Sequence, residues 1–257
     1  MIQLKTKKEI EVMKEGGKIL AKVLSEVQKK VRPGIATDSL DKLAGELIFK
    51  YGAKPSFLGY DNFPAVTCIS LNDEVVHGLP SDRKLKEGDL CKLDLGVFYK
   101  GFHTDHAITV LVTKESKLSA IFKKTHSKKR KLINVTKKSL EIGIAKAVMG
   151  NTIGDVGSAI QKYVEGEGFG IVRDLVGHGI GRELHEPPQI PNYGKAGTGL
   201  KLVEGMVIAI EPMVVTGDWK VKVGQDGFVF KTKDGSLAAH FEHTIAIMAK
   251  GNIVLTR

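Results

Sequence analysis

Four acidic residues of this chain stand where acids are costly. Asp94 falls in KLDLGV, Asp105 in GFHTDHAITV, Glu211 in VIAIEPMVV and Glu242 in FEHTIAI, all runs dominated by β-branched, aromatic and other apolar residues. A carboxylate inside a buried strand costs several kcal/mol unless it is paired, hydrogen-bonded or bound to a metal. These strands offer few cations of their own, Lys92 and Lys100 apart. Two divalent metal ions would offset the four charges. Asp94 and Asp105 flank the turn Tyr99-Lys100-Gly101, so a single hairpin can present both on one face. The run GHGIGRELHEPP adds imidazoles. His178 sits between glycines, which let backbone and ligand approach closely, and His185 precedes Pro187-Pro188, which stiffen the loop. Singly, each residue has a plainer reading as an ion pair, an edge position or a packed core histidine. Together, four carboxylates and one imidazole form an inventory suited to Mn, Fe, Co or Zn. Two such ions about 3.5–4 Å apart can share bridging carboxylates and are arranged for hydrolysis.

The elements that must position these residues are also legible. Thr6 with Glu9 makes a capping box and opens a helix carrying Ile10, Met13, Leu20, Val23, Leu24 and Val27 on one side, which stops before Pro33-Gly34. A second helix starts near Thr37, buries Leu40, Leu43, Leu47 and Ile48, and ends at Gly52. Strands are expected over Val66 to Leu71 and Leu90 to Val112, the latter broken by the turn at residues 99–101. The second half repeats the order, with helices over about Leu132 to Ile144 and Thr152 to Val164. Strands follow around Ile171 to Val176, Val207 to Val215, Gly227 to Lys231 and Phe241 to Met248. Gly34 and Gly52 bracket the second helix of one half, Gly150 and Gly168 that of the other, both 18 positions apart. The pattern points to two related α+β halves, about 1–112 and 132–250, within a single domain of 257 residues. Two helix pairs outside a central, mostly antiparallel sheet are the simplest architecture.

Composition narrows the class. The chain is 42% hydrophobic and 26% charged, as globular proteins are. No stretch approaches the roughly 18 apolar residues of a membrane span, and residues 1–10 lack the apolar core of a signal peptide. With only Cys68 and Cys91, neither a disulfide framework nor a cysteine-based zinc site is implied. A cytoplasmic location is expected, as is a monomer. Net charge is +10, which favours polyanionic neighbours such as RNA or ribosomes, although a merely well-hydrated surface explains it too. The excess peaks in KKTHSKKRK, residues 123–131.

The motifs EVVHGLP, KLDLGV, GFHTD, GHGIGRELHEPP, IEPMV and FEHTIAI, taken together, resemble those of the methionine aminopeptidases, and the resemblance covers nearly the whole chain. It implies the pseudo-twofold "pita-bread" fold and the metal set Asp94, Asp105, His178, Glu211 and Glu242. Asp94 would chelate one metal, Asp105 and Glu242 would bridge both, and His178 and Glu211 would complete the other site. Glu211 would also shuttle the proton of the attacking water. By the same resemblance His77 and His185 contact the scissile peptide and its developing oxyanion, and Phe57, Tyr60, Phe63, Cys68, Leu184 and Phe228 line a methionine pocket. The substrate would be the N-terminus of a nascent polypeptide with a small second residue. With 31 positions from Glu211 to Glu242, the chain resembles the short bacterial type I form.

Three features depart from the family pattern. His106 follows Asp105 where a small residue is more usual, and alternation should turn it to the other side of the strand. Met149 replaces a proline in a loop, and the basic run 123–131 looks inserted. Two other readings compete. X-Pro aminopeptidases or dipeptidases resemble the same ligand order but carry a large N-terminal domain, whereas the first catalytic-half helix here begins by about residue 6. A non-catalytic ribosome- or RNA-binding relative would be expected to have lost ligands, yet all five and both histidines are present.

Overall fold

The structure, a computed structural model, describes residues 2–114 and 124–257. Lys123, at the start of the basic run, lies outside the described residues. Thr6 caps α1 (Lys7–Gln28) through a complete capping box with Glu9, and all six expected apolar residues of α1 are buried. α2 (Thr37–Lys50) packs beside it. In the second half, α3 (Ser127–Lys146) packs on α4 (Ile153–Gly166). α3 begins at Ser127 rather than near Leu132, so the basic residues Lys128 to Lys131 form its first turn. α4 has its own capping box, Thr152 with Asp155, a pairing of the same chemistry as the first.

The two halves share local geometry as well as order. α2 and α4 each have 14 residues. Gly34, Gly52, Gly150 and Gly168 have φ of 89°, 74°, 93° and 82°. The residue before each helix forms an isolated antiparallel bridge, Ala36 with Lys84 and Thr152 with Lys201.

Every strand pairing in the described residues is antiparallel, but the expected central sheet is divided into four ladders. In the first half, Leu90–Tyr99 and Phe102–Leu111 form a long hairpin flanked by Thr67–Leu71 and Lys54–Pro55. Its two-residue turn places Lys100 at φ 49° and Gly101 at φ 90°, the left-handed pair that such hairpins require. In the second half the order is Gly251–Val254, His243–Met248, Val207–Ile210, Gly177–Gly179, Glu186–Ile190. A three-stranded ladder joins Ala238–His240, Met213–Val215 and Gly170–Ile171. Another joins Val221–Val223, Phe230–Thr232 and Glu74–Val76, linking the halves.

Several expected strands are shorter than their apolar runs. The run 171–176 contributes only its first residue to Gly170–Ile171. The run 207–215 breaks at Glu211-Pro212, and the strand ending at His240 stops before His243–Met248 begins. Hydrophobicity does not change across these breaks, so the sequence pattern passes over them. The strands at 74–76, 186–190, 221–223 and 251–254 were not expected.

The halves meet at a seam between Phe102–Leu111 and residues 240–244, where threonine hydroxyls replace ladder bonds. Thr244 Oγ1 accepts the Asp105 N–H at 2.8 Å and donates to the Asp105 carbonyl at 2.9 Å. Reciprocally, Thr109 Oγ1 accepts the His240 N–H at 2.9 Å and donates to the His240 carbonyl at 2.7 Å. Between them the Glu242 N–H donates to the Ala107 carbonyl at 2.9 Å. On the other face of the seam, the rings of His106 and His243 stack at 4.3 Å, and His106 Nδ1 donates to the Glu242 carbonyl at 2.5 Å.

Replacing Thr109 by Val keeps the shape but leaves the buried His240 N–H and C=O without that partner. Unfolding in urea should show a loss of about 1–3 kcal/mol; an unchanged midpoint would mean the clasp is not structural.

Candidate metal centre and substrate cavity

Strand alternation and register bring the first two carboxylates together. In the hairpin Asp94 pairs with Ala107 and Asp105 with Gly96, so both aspartates share one face, two positions apart along it. Cys68 pairs with Asp94 from the next strand and faces the same way. Gly96 has no side chain to oppose Asp105; a Cβ there would lie 2.7 Å from both Ser56 and Phe57, so its absence lets Phe57 close over the hairpin.

The other two carboxylates occupy the strand breaks. His243 pairs with Ile210, and Met213 pairs with His240. The same register carried across the gap sets Glu211 against Glu242. Neither is inside a strand, contrary to the reading of their apolar runs. His178 lies on the short strand Gly177–Gly179 rather than after a longer one. Its neighbours must be glycine because this strand is squeezed between two others. A Cβ at Gly177 would meet the Ala209 carbonyl at 2.4 Å, and one at Gly179 the Pro187 carbonyl at 2.4 Å.

One cavity of about 180 Å³ is lined by Asp94, Asp105, His178, Glu211, Glu242, His77 and His185, together with Phe57, Tyr60, Phe63, Cys68, Leu184 and Phe228. Every residue singled out from the sequence therefore reaches the same space. Asp61, at the exposed rim, joins them without having been anticipated. His106 does not line the cavity; it is buried on the seam, as alternation predicts.

The electrostatics of the polar end are those of an uncompensated cluster. Burial pushes Asp94 up to about 7 and Glu211 up to about 8. Asp105 and Glu242 are held well above the carboxylate range, by burial first and then by the neighbouring carboxylates. Lys92 shares the hairpin face but does not neutralise them. Its Nζ donates to the carbonyls of Asn72 and Ala238, and burial brings its pKa down to about 7.

The donor set fits a divalent ion. Asp94 Oδ1 and Glu242 Oε1 are buried without a hydrogen-bond partner. Ligand atoms of Asp105, His178 and Glu242 lie within 4.8 Å of one another. His178 Nδ1 donates to the Gly179 carbonyl at 2.8 Å, which leaves the Nε2 lone pair facing the cavity, 3.6 Å from Glu211 Oε1. Such outer hydrogen bonds fix the tautomer of a ligating imidazole. A lone pair and a carboxylate oxygen repel unless a proton or a metal cation lies between them.

The two remaining predicted histidines flank this cluster. His77, held at φ 58°, sits edge-on to Phe230 at 5.6 Å, and burial lowers its pKa to about 4. His185 shares a 2.9 Å hydrogen bond with the Tyr60 hydroxyl and meets His178 edge-on at 4.3 Å. At the apolar end Phe57, Phe63, Cys68 and Leu184 are buried, and Phe228 packs edge-on against Phe63 at 5.5 Å.

Buried carboxylates gathered around an imidazole, beside an apolar recess, define the centre of a metal-dependent hydrolase. Comparison with known proteins agrees. The model of metallopeptidase family M24 matches residues 11–249, and the chain belongs to that family. A methionine aminopeptidase of Clostridium perfringens is 48% identical over 256 residues, spanning 100% of this chain and 99% of the relative. The crystal structure of methionine aminopeptidase from Thermotoga maritima superposes with a TM-score of 0.92 at 46% identity, each chain fully covered. A prolidase of Pyrococcus horikoshii shares the fold alone, with a TM-score of 0.76 at 24% identity over 63% of its length. The architecture is thus the pita-bread fold that the motifs implied.

At about pH 6 the metal-free protein holds protons on Asp94 and Glu211, because their pKa values lie near 7 and 8. An incoming cation must displace them. Raising the pH to about 8 lessens that competition, so Mn affinity should rise with pH. Calorimetry in two buffers of different ionisation enthalpy should record proton release at pH 6 and less at pH 8. Equal affinity with no release at either pH would contradict the protonated cluster.

Proposed function

We propose that this chain is a two-metal aminopeptidase that removes the N-terminal methionine of newly made proteins, favouring a small second residue. A single cavity carries the reading: its carboxylate–imidazole cluster lies beside a recess walled by Phe57, Phe63, Cys68, Leu184 and Phe228. An unbranched thioether packs well against aromatic rings, so a methionine side chain suits the recess and places its peptide bond at the cluster.

In this reading Asp94, Asp105, His178, Glu211 and Glu242 would hold the two ions between them. Bound divalent ions, whether Co, Mn, Fe or Zn, would lower the pKa of the attacking water and polarise the scissile carbonyl. Glu211 accepts the proton of that water and passes it to the leaving amine. His77 and His185 are depressed by burial and remain neutral near pH 7, so they act as hydrogen-bonding partners to the peptide and its oxyanion rather than as fixed charges.

The whole chain forms one catalytic unit of two related halves, about 1–112 and 132–250. Among the described residues no helix is long and apolar enough to cross a membrane. The enzyme acts as a monomer in the cytoplasm, where its substrates emerge from ribosomes. The first turn of α3 supports docking there: Lys128 is exposed, and Arg130 is half-exposed beside it.

Met-Ala-Ser should be cleaved between its first two residues in the presence of Mn or Co, while X-Pro peptides should resist. Asp105→Asn should lose at least one ion per chain by metal analysis and nearly all turnover. Cleavage of X-Pro peptides in preference would overturn the assignment. Separately, reversing charge at Lys128 and Arg130 should weaken co-sedimentation with ribosomes and leave Met-Ala-Ser turnover unchanged; Lys129 is spared because its Nζ donates to the Gly88 carbonyl. Undiminished co-sedimentation would rule out this face.

A further inference from the structure

His240 lies beneath the metal cluster and has no part in the roles above. It is 1% exposed, and neither ring nitrogen has a hydrogen-bond partner. Leaving an imidazole so buried and unpartnered is costly, and here the ring has little freedom to move elsewhere. Thr109 holds its N–H and its C=O, and the residue pairs with Met213 across the ladder.

The ring faces Glu211. His240 Nε2 stands 3.6 Å from Glu211 Oε2, and His178 Nε2 stands 3.6 Å from Glu211 Oε1. The two contacts differ in kind. His178 has its proton committed to the Gly179 carbonyl and offers a lone pair. Neither nitrogen of His240 is committed to another acceptor, so the tautomer with hydrogen on Nε2 is the one that suits Glu211 Oε2. An imidazole whose Nε2 carries hydrogen has one N–H to give in that direction.

We propose that His240 is the positioning residue for Glu211: its ring donates Nε2–H to Oε2 and turns Oε1 towards His178 and the ion-binding cluster. This rests on the reading of Glu211 as ligand and proton carrier, and it predicts which half of that carboxylate does which work. Oε1 faces the ion, while Oε2 is restrained from rotating.

Gln and Met at position 240 test it, being alike in length and differing in the donor. His240→Gln should keep Mn affinity and kcat on Met-Ala-Ser within about threefold of wild type. His240→Met should lose about 10–100-fold in the affinity of the more weakly held Mn ion, the range typical of outer partners of metal ligands. Its kcat should fall similarly while KM changes little, because the apolar recess is untouched. Equal behaviour of the two variants would overturn the proposal, as would a Gln variant that binds one ion fewer, which would make His240 a ligand. Failure of the wild-type chain to cleave Met-Ala-Ser would instead sink the function from which the proposal starts.

Discussion

Four carboxylates line one cavity with no lysine or arginine among the described residues paired to them, and the architecture is organised around that constraint. The nearest buried cation, Lys92, is committed to two backbone carbonyls. Without ions the cluster relieves its repulsion by holding protons, which is why its members sit far above the carboxylate range. A fold that keeps such a cluster must supply enough packing elsewhere to carry its cost. Two helix pairs do this, burying a continuous apolar core on the far side of each half's strands.

The centre is built where regular structure stops. Asp94 and Asp105 come from an unbroken hairpin and are aimed by alternation alone. Glu211 and Glu242 come from a matched interruption in a single register, which frees both backbones from the ladder so that the two side chains can turn to the hairpin. The Glu242 N–H then finds the Ala107 carbonyl of the other half. Glycines on either side of His178 narrow its strand enough to fit between two neighbours. Each device trades a local bond or side chain for the placement of one donor atom.

How much of this the sequence discloses depends on the range of the interaction. The capping box of α1, its buried stripe and the Lys100-Gly101 turn are local, and their residues suffice to place them. The four acids and His178 were legible for a different reason: an acid in an apolar run, or a histidine between glycines, has few structural uses, whereas the roles of His77 and His185 and the apolar lining came only from the family resemblance. The strand breaks at Glu211-Pro212 and before His243 were not legible, because the apolar pattern runs through them and only the tertiary seam reveals why pairing stops. His240 escaped notice likewise. It stands two positions before Glu242 on the same run, but as a histidine in an apolar strand it looks like any packed core residue until its ring is seen against Glu211. Asp61 sits in a short left-handed turn at the rim, and nothing in its immediate sequence marks it.

The reciprocal threonine clasp also bears on how the molecule comes into being. Its bonds join residues 131 and 139 positions apart, and contacts of such separation form late, since the loop between them must first be closed. During synthesis the first half can gather its helices and hairpin while the strand Phe102–Leu111 still waits for residues 240–244. Until they arrive that strand is an open edge, and open edges invite pairing with other chains. The same event that closes the edge brings Glu242, the last of the five ligands, to Asp105, so the ligand set stays incomplete until then, and the chain's capacity for hydrolysis and its protection from self-association begin together.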